Sequence, residues 1–186
     1  MEYSIKLEEN AKEYFAFLFG IALFLSTCAS SAHGFVSPQR LVVFSQNSVS
    51  VEIALQQDAS GKTFLIATFT PISGDHLYSK DSPRGGINGE GRSTLVELTL
   101  QTAMCAIGTL IASVNDEVSL MGMDALLVYP TGPVVLRLQV SLPVGRGWYN
   151  DQVSVTYEAC SQTTCKMPVI GKIVRVHLPR TWQIQQ

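Results

Sequence analysis

From about residue 41 onward, apolar and polar residues alternate with period two, and no window of a dozen residues carries a convincing helical stripe. A period of two turns one face of an extended strand to a core and the other to water, whereas a helix repeats every 3.6 residues. Ser48-Val49-Ser50-Val51-Glu52-Ile53-Ala54-Leu55 shows the alternation most plainly. Asp58-Ala59-Ser60-Gly61 then reads as a turn, with residues 62–69 as the partner strand. Further strands are predicted over residues 94–100, 105–112, 133–142, 153–158 and 172–178. Short strands divided by Gly, Pro, Asn and Asp clusters, with no internal repeat, imply an all-β fold and an antiparallel sandwich.

The N-terminal segment breaks this pattern. Phe15 to Leu25 is an apolar run long enough for the core of a signal peptide and short for a membrane span. Ser30-Ser31-Ala32 supplies small residues for cleavage before His33. Residues 1–32 are therefore expected to be a signal segment, and residues 33–186 an exported domain. The leader is acidic, unlike the usual basic one, so an uncleaved anchor over residues 14–32 or a misplaced start codon are alternatives. Leu25-Ser26-Thr27-Cys28 also resembles a lipoprotein signal that would lipidate Cys28.

Of the thirteen basic and fifteen acidic side chains, two and four lie in residues 1–32, which leaves eleven of each in the expected domain. With no basic run or patch there, nucleic-acid and anionic-membrane binding have no support. Apolar residues make up 46% of the chain and charged ones 15%, which suits a packed core rather than a disordered segment.

Two stretches do not read as strand. Residues 79–92 form a long glycine-rich, charged loop, best read as a mobile surface connection. They lack the glycine order and following helix of a phosphate cradle. Residues 114–123 form a second loop, in which Asp116 and Glu117 are adjacent carboxylates, a pair more often solvated than catalytic. Met121 and Met123 read as packing, Trp148 and Tyr149 as residues at a turn. Cys105, among apolar neighbours in residues 102–112, reads as a buried core thiol.

Export favours disulfides. With Cys28 in the leader, Cys105, Cys160 and Cys165 remain, and the Cys-x4-Cys pair is the natural bridge on a hairpin tip. Three roles stay open on spacing alone. A structural staple would close a small ring and stabilise by roughly 2 kcal/mol. A redox pair would use an accessible, reducible bridge, with Lys166 favouring a thiolate and Pro168 limiting the backbone. A metal site needs more donors, and His76 and His177 are not spaced to supply them, so no metal and no cofactor are expected.

The segment Val155-Thr156-Tyr157-Glu158-Ala159-Cys160-Ser161-Gln162-Thr163-Thr164-Cys165-Lys166-Met167-Pro168-Val169 closely resembles the end of the N-terminal periplasmic domain of the thiol:disulfide interchange protein DsbD. Residues 75–81 (DHLYSKD) and 128–143 (VYPTGPVVLRLQVSLP) resemble other parts of that domain more loosely, and the resemblance spans most of residues 45–180. It implies an immunoglobulin-like sandwich in the periplasm. It also implies that Cys160 and Cys165 relay electrons from a thioredoxin-like donor to oxidised periplasmic proteins, with Cys165 attacked first. His76 and Tyr78 would line the site, and a cap loop would correspond to Asn115, Asp116, Glu117 and Val118. Val118 stands where an aromatic residue would be expected. The family reductase continues into a membrane domain and a thioredoxin domain, so this chain resembles a freestanding version with its donor in trans. The competing reading is a non-enzymatic exported binding module with a structural disulfide.

Overall fold

The computed structural model describes residues 37–72, 74–118 and 126–180. The expected signal segment, Cys28, Met121 and Met123 lie outside the described residues. The strands are β1 (Gln39–Gln46), β2 (Val49–Gln57), β3 (Thr63–Pro71), β4 (His76–Leu77), β5 (Leu95–Leu98), β6 (Cys105–Ala106) and β7 (Ile111–Ala112). They continue with β8 (Glu117–Val118), β9 (Leu127–Val128), β10 (Val134–Ser141), β11 (Trp148–Tyr157), β12 (Ala159–Cys160) and β13 (Val169–Pro179). One sheet runs β1-β2-β3-β10-β6, with β7 also on β10, and the other runs β13-β11-β5. Every ladder in both is antiparallel.

Alternation produces the sandwich directly. Val49, Val51, Ile53 and Leu55 of β2 face inward, as do Val134, Leu136, Leu138 and Val140 of β10. They meet Val153 and Val155 of β11 and Val174, Val176 and Leu178 of β13 in one apolar cluster. Each such side chain taken fully out of water contributes about 1.5–3 kcal/mol. Among the described residues the protein is an all-β antiparallel sandwich.

Turn chemistry sets the register. Asn47 and Ser48, at φ 50° and 66°, form the two-residue connection between β1 and β2. Positive φ at both central positions matches the right-handed twist of the flanking strands. Between β2 and β3, Asp58 Oδ1 accepts from the backbone N–H groups of Ser60 and Lys62, both at 2.9 Å.

Three expectations are corrected. Residues 105–112 do not form one strand: β6 and β7 each touch β10 through two residues, separated by exposed Ile107, Gly108 and Thr109. Cys105 is exposed rather than buried, because this segment is a broken sheet edge with water beside it. Trp148 and Tyr149 open β11 instead of sitting at a turn, and Trp148 stacks on His177 at 5.2 Å.

At one end of the sandwich the sheets are tied by Tyr157. Its ring meets Phe69 edge-on at 5.6 Å, and its hydroxyl donates to the Gln46 carbonyl at 3.0 Å. Burial pushes its phenol up to about 12. Nearby, Asn47 Nδ2 donates to the Met167 carbonyl at 2.6 Å. The cysteine hairpin is thereby fixed to the rigid β1–β2 turn.

Candidate functional site

The register of β11 against β13 shifts between Val155 and Tyr157. Thr156 Oγ1 fills that irregularity by accepting from the Gly171 N–H at 3.0 Å. The extra residue lies on β13, where Gly171 has φ 59°, so β11 keeps its alternation and Tyr157 and Ala159 stay in the sandwich core. Strict alternation would turn Thr156, Glu158 and Cys160 to water, yet residues 155–160 are all buried. β12 then leaves the main sheet and pairs with β4, Ala159 opposite Leu77 and Cys160 opposite His76.

Beyond β12 the chain doubles back tightly. The Ser161 N–H donates to the Thr164 carbonyl and the Lys166 N–H to the Ala159 carbonyl, both at 2.8 Å. Cys160 and Cys165 face each other between those two bonds. In an antiparallel pair such non-hydrogen-bonded positions bring side chains closest. The Cα atoms are 4.0 Å apart, and the cysteines form a disulfide. Its two cysteines are unequal: Cys160 is fully buried, whereas Cys165 is partly exposed.

The bridge sits in its own small apolar cluster, separate from the sandwich core. Tyr78, Leu126 and Cys160 form its buried centre, with Ile87, Val128 and Cys165 packed against them. The Tyr78 hydroxyl donates to Cys160 Sγ at 3.3 Å and lies 3.9 Å from Cys165 Sγ. Burial, together with the negative charges of Glu158 and Glu90, pushes the Tyr78 phenol up, so it remains a donor. The His76 ring meets Tyr78 edge-on at 5.5 Å. Burial pushes His76 down, partly offset by Asp75.

The glycine-rich segment is tied to β9 and Tyr129 beside this cluster. The backbone N–H of Ser79 donates to the Leu127 carbonyl, and Ser82 Oγ exchanges hydrogen bonds with both backbone groups of Leu127. The Lys80 N–H donates to the Tyr129 hydroxyl at 3.0 Å. Residues 79–82 are thus held by specific bonds to Leu127 and Tyr129. At Gly91, φ is +80°, and a Cβ would stand 2.3 Å from Leu126 Cδ1 and 3.1 Å from Tyr78 Cε1. Only glycine fits there.

Among the residues anticipated from sequence, Tyr78 stands beside the sulfurs, and His76 pairs with Cys160 across β4–β12 and meets Tyr78 edge-on. Asp116 accepts a hydrogen bond from Ser79 Oγ and is half-buried. Glu117 and Val118 are exposed in β8, which pairs with β9. It is Leu126, Val128 and Ile87 that pack on the cysteine cluster. Glu158 went unremarked in the sequence. It is 3% exposed, and its Oε2 accepts the Gly91 and Arg92 N–H groups at 3.0 Å each. A carboxylate oxygen of Glu158 and the two Sγ atoms all lie within 4.8 Å of one another. The only local signal was an acid two residues before the first cysteine, and its burial depends on the distant glycine loop. His177, hydrogen-bonded to Asn150, belongs to the other end of β11.

No protein-family model matches this chain, and no curated protein matches it. Among solved structures, it is similar to the N-terminal domain of DsbD from Neisseria meningitidis in the reduced form. The identity is 13%, covering 80% of this chain and 86% of that chain, with a TM-score of 0.40. A likeness that loose carries no argument about activity. Among the described residues, no helix is long and apolar enough to cross a membrane.

Proposed function

We propose that this domain is an exported thiol–disulfide interchange module. In this reading the Cys160–Cys165 pair takes electrons from a thioredoxin-like dithiol and passes them to oxidised periplasmic proteins. The observation that carries the proposal is the asymmetry of the bridge. One cysteine is partly exposed, the other is fully buried, and a phenol donor is aimed at the buried one's sulfur. The resemblance of the cysteine hairpin to DsbD points the same way.

Exchange requires a thiolate to attack one sulfur in line with the S–S bond while the other leaves. In this reading the partner attacks Cys165, the partly exposed cysteine, rather than the buried Cys160. Attack forms the partner–Cys165 bond and breaks the bridge, and the electron pair goes to Cys160 Sγ. The Tyr78 hydroxyl, already hydrogen-bonded to that sulfur, stabilises the leaving thiolate. The partner's second sulfur then attacks its own mixed-disulfide sulfur, forms the partner disulfide and releases Cys165. Reversal of these steps reduces an oxidised acceptor.

The test is a trapping experiment with a thioredoxin-like protein whose single attacking cysteine is activated as its mixed disulfide with thionitrobenzoate, the thiol that leaves when a thiolate attacks. Cys160→Ser leaves Cys165 free and should accumulate a mixed disulfide with the oxidised partner. Cys165→Ser should accumulate little. Equal trapping by both variants would defeat the directional mechanism. If the wild-type bridge resists reduction below about −300 mV, it is a staple, and the reading of an exported binding module takes its place.

A further inference from the structure

We propose that the Glu158 carboxylate sets the reducing strength of the Cys160–Cys165 pair, acting as a fixed negative charge that holds the reduced cysteines as thiols and so favours the disulfide. This deepens the exchange reading above and rests on it.

The placement of Glu158 has the marks of a built site. Its side chain is 3% exposed on the strand that leads into Cys160. Two backbone N–H groups at 3.0 Å hold one oxygen. One of those donors is Gly91, at a position where any side chain would collide with Leu126 and Tyr78. The glycine loop therefore closes on the carboxylate only because residue 91 has no Cβ. The carboxylate reaches within 4.8 Å of both sulfurs. Its charge is felt at the Tyr78 phenol, the group hydrogen-bonded to Cys160.

A disulfide is uncharged and indifferent to a neighbouring carboxylate, whereas a thiolate is repelled by it. In the low-dielectric interior that repulsion is weakly screened. Among the described residues, the other titratable or charged groups on the elements packed around the pair are Tyr78, His76 with Asp75, Lys80, Asp81, Arg84, Glu90 and Arg92 of the glycine loop, Asp116, Glu117, Tyr129, and Lys166 after Cys165. Complete reduction by a partner dithiol moves two electrons and two protons. The partner becomes a disulfide, the S–S bond breaks, and Cys160 and Cys165 end as two thiols. Glu158 extends the pH range over which both protons are kept.

The experiment equilibrates the full chain with dithiothreitol redox buffers at several pH values and quantifies thiols by alkylation. Wild type, Glu158→Gln and Glu158→Asp are compared. Glu158→Gln should raise the equilibrium constant for reduction at least tenfold, which is about 30 mV. Its thiolate absorbance should appear at lower pH, and Glu158→Asp should return both readouts toward wild type. A shift under about threefold, with an unchanged thiolate titration, would overturn the inference while leaving exchange intact. Should Glu158→Gln not fold, wild type alone decides. Each proton taken up contributes about 30 mV per pH unit. A two-proton slope persisting above the ordinary cysteine pKa of about 8.5 supports the inference. A one-proton slope already present below that pH overturns it. A wild-type bridge that never equilibrates with the dithiol defeats both the inference and the exchange reading.

Discussion

Replacing Tyr78 by Phe isolates the group assigned to the leaving sulfur. The ring is 2% exposed and packs on His76 and in the Leu126 cluster, contacts that Phe retains. The hydroxyl is the only atom removed, and it lies 3.3 Å from Cys160 Sγ. In the oxidised protein it serves a weak, uncharged acceptor, so its loss should change stability by about 1 kcal/mol or less. During attack on Cys165, charge develops on Cys160 Sγ, and hydrogen bonds to charged groups contribute about 1.5–3 kcal/mol. At 1.36 kcal/mol per factor of ten, reduction should slow by roughly 10- to 150-fold. Because the Tyr78 phenol is pushed up, the hydroxyl stays protonated from neutral pH to beyond 10, its ordinary value, and the defect should persist across that range. Stopped-flow reduction by a dithiol measures the rate, and thermal melting of the oxidised protein measures the fold. A variant that melts like wild type and is reduced within about twofold of its rate would refute the mechanism.

Gly91→Ala combines a left-handed φ with a collision against Leu126, so the denaturation midpoint should fall by the equivalent of about 1–3 kcal/mol, and Cys160 should become easier to alkylate after reduction. Burial disfavours protonated His76, so the unfolded chain binds that proton first. The folded state therefore loses stability as pH falls below the unfolded pKa of about 6.5. His76→Phe should flatten that acid-side loss in melts between about pH 7 and 5, and a slope identical to wild type would contradict it. Cutting the bridge with Cys160→Ser/Cys165→Ser opens a ring of about six residues, worth roughly 2 kcal/mol. The melting temperature should drop by about 6 °C, and outright unfolding at room temperature would mark the bridge as a staple.

The sandwich was legible because one face of each long strand is buried and the other wet, which period two records residue by residue. The edge was not. Residues 102–112 look like core by composition, yet Ile107 and Ile111 are more than half exposed beside Cys105, since apolar content cannot separate a sheet's margin from its middle. The cysteine pair was visible as a bridge from its spacing and the expectation of export. Its enclosure was not visible, because Cys160 keeps the parity that faces away from the sandwich core and is covered there by Tyr78, Leu126, Ile87 and Val128, all distant in sequence. Gly91 looked like slack in a glycine-rich run. Its constraint comes from Leu126 and Tyr78, thirty-five and thirteen residues away, and only the folded chain brings them together.

The division between the two clusters bears on why a disulfide belongs here at all. The sandwich core joins both sheets without using either cysteine, and Tyr157 ties its end through a ring contact and a backbone carbonyl. A bridge spanning five residues adds little to such a framework. The surroundings of the bridge, by contrast, draw on β4, β9, β12 and the glycine loop, none of which contributes more than two residues of strand to the architecture. Those pieces hold a phenol on the sulfurs and a caged carboxylate near them. If the bridge were a staple, that arrangement would add an enclosed carboxylate and a glycine-only contact for no gain in rigidity. If the bridge opens and closes, the same parts decide which sulfur is attacked, where the developing charge rests and how readily the protons are held, while the β-sheets need not move.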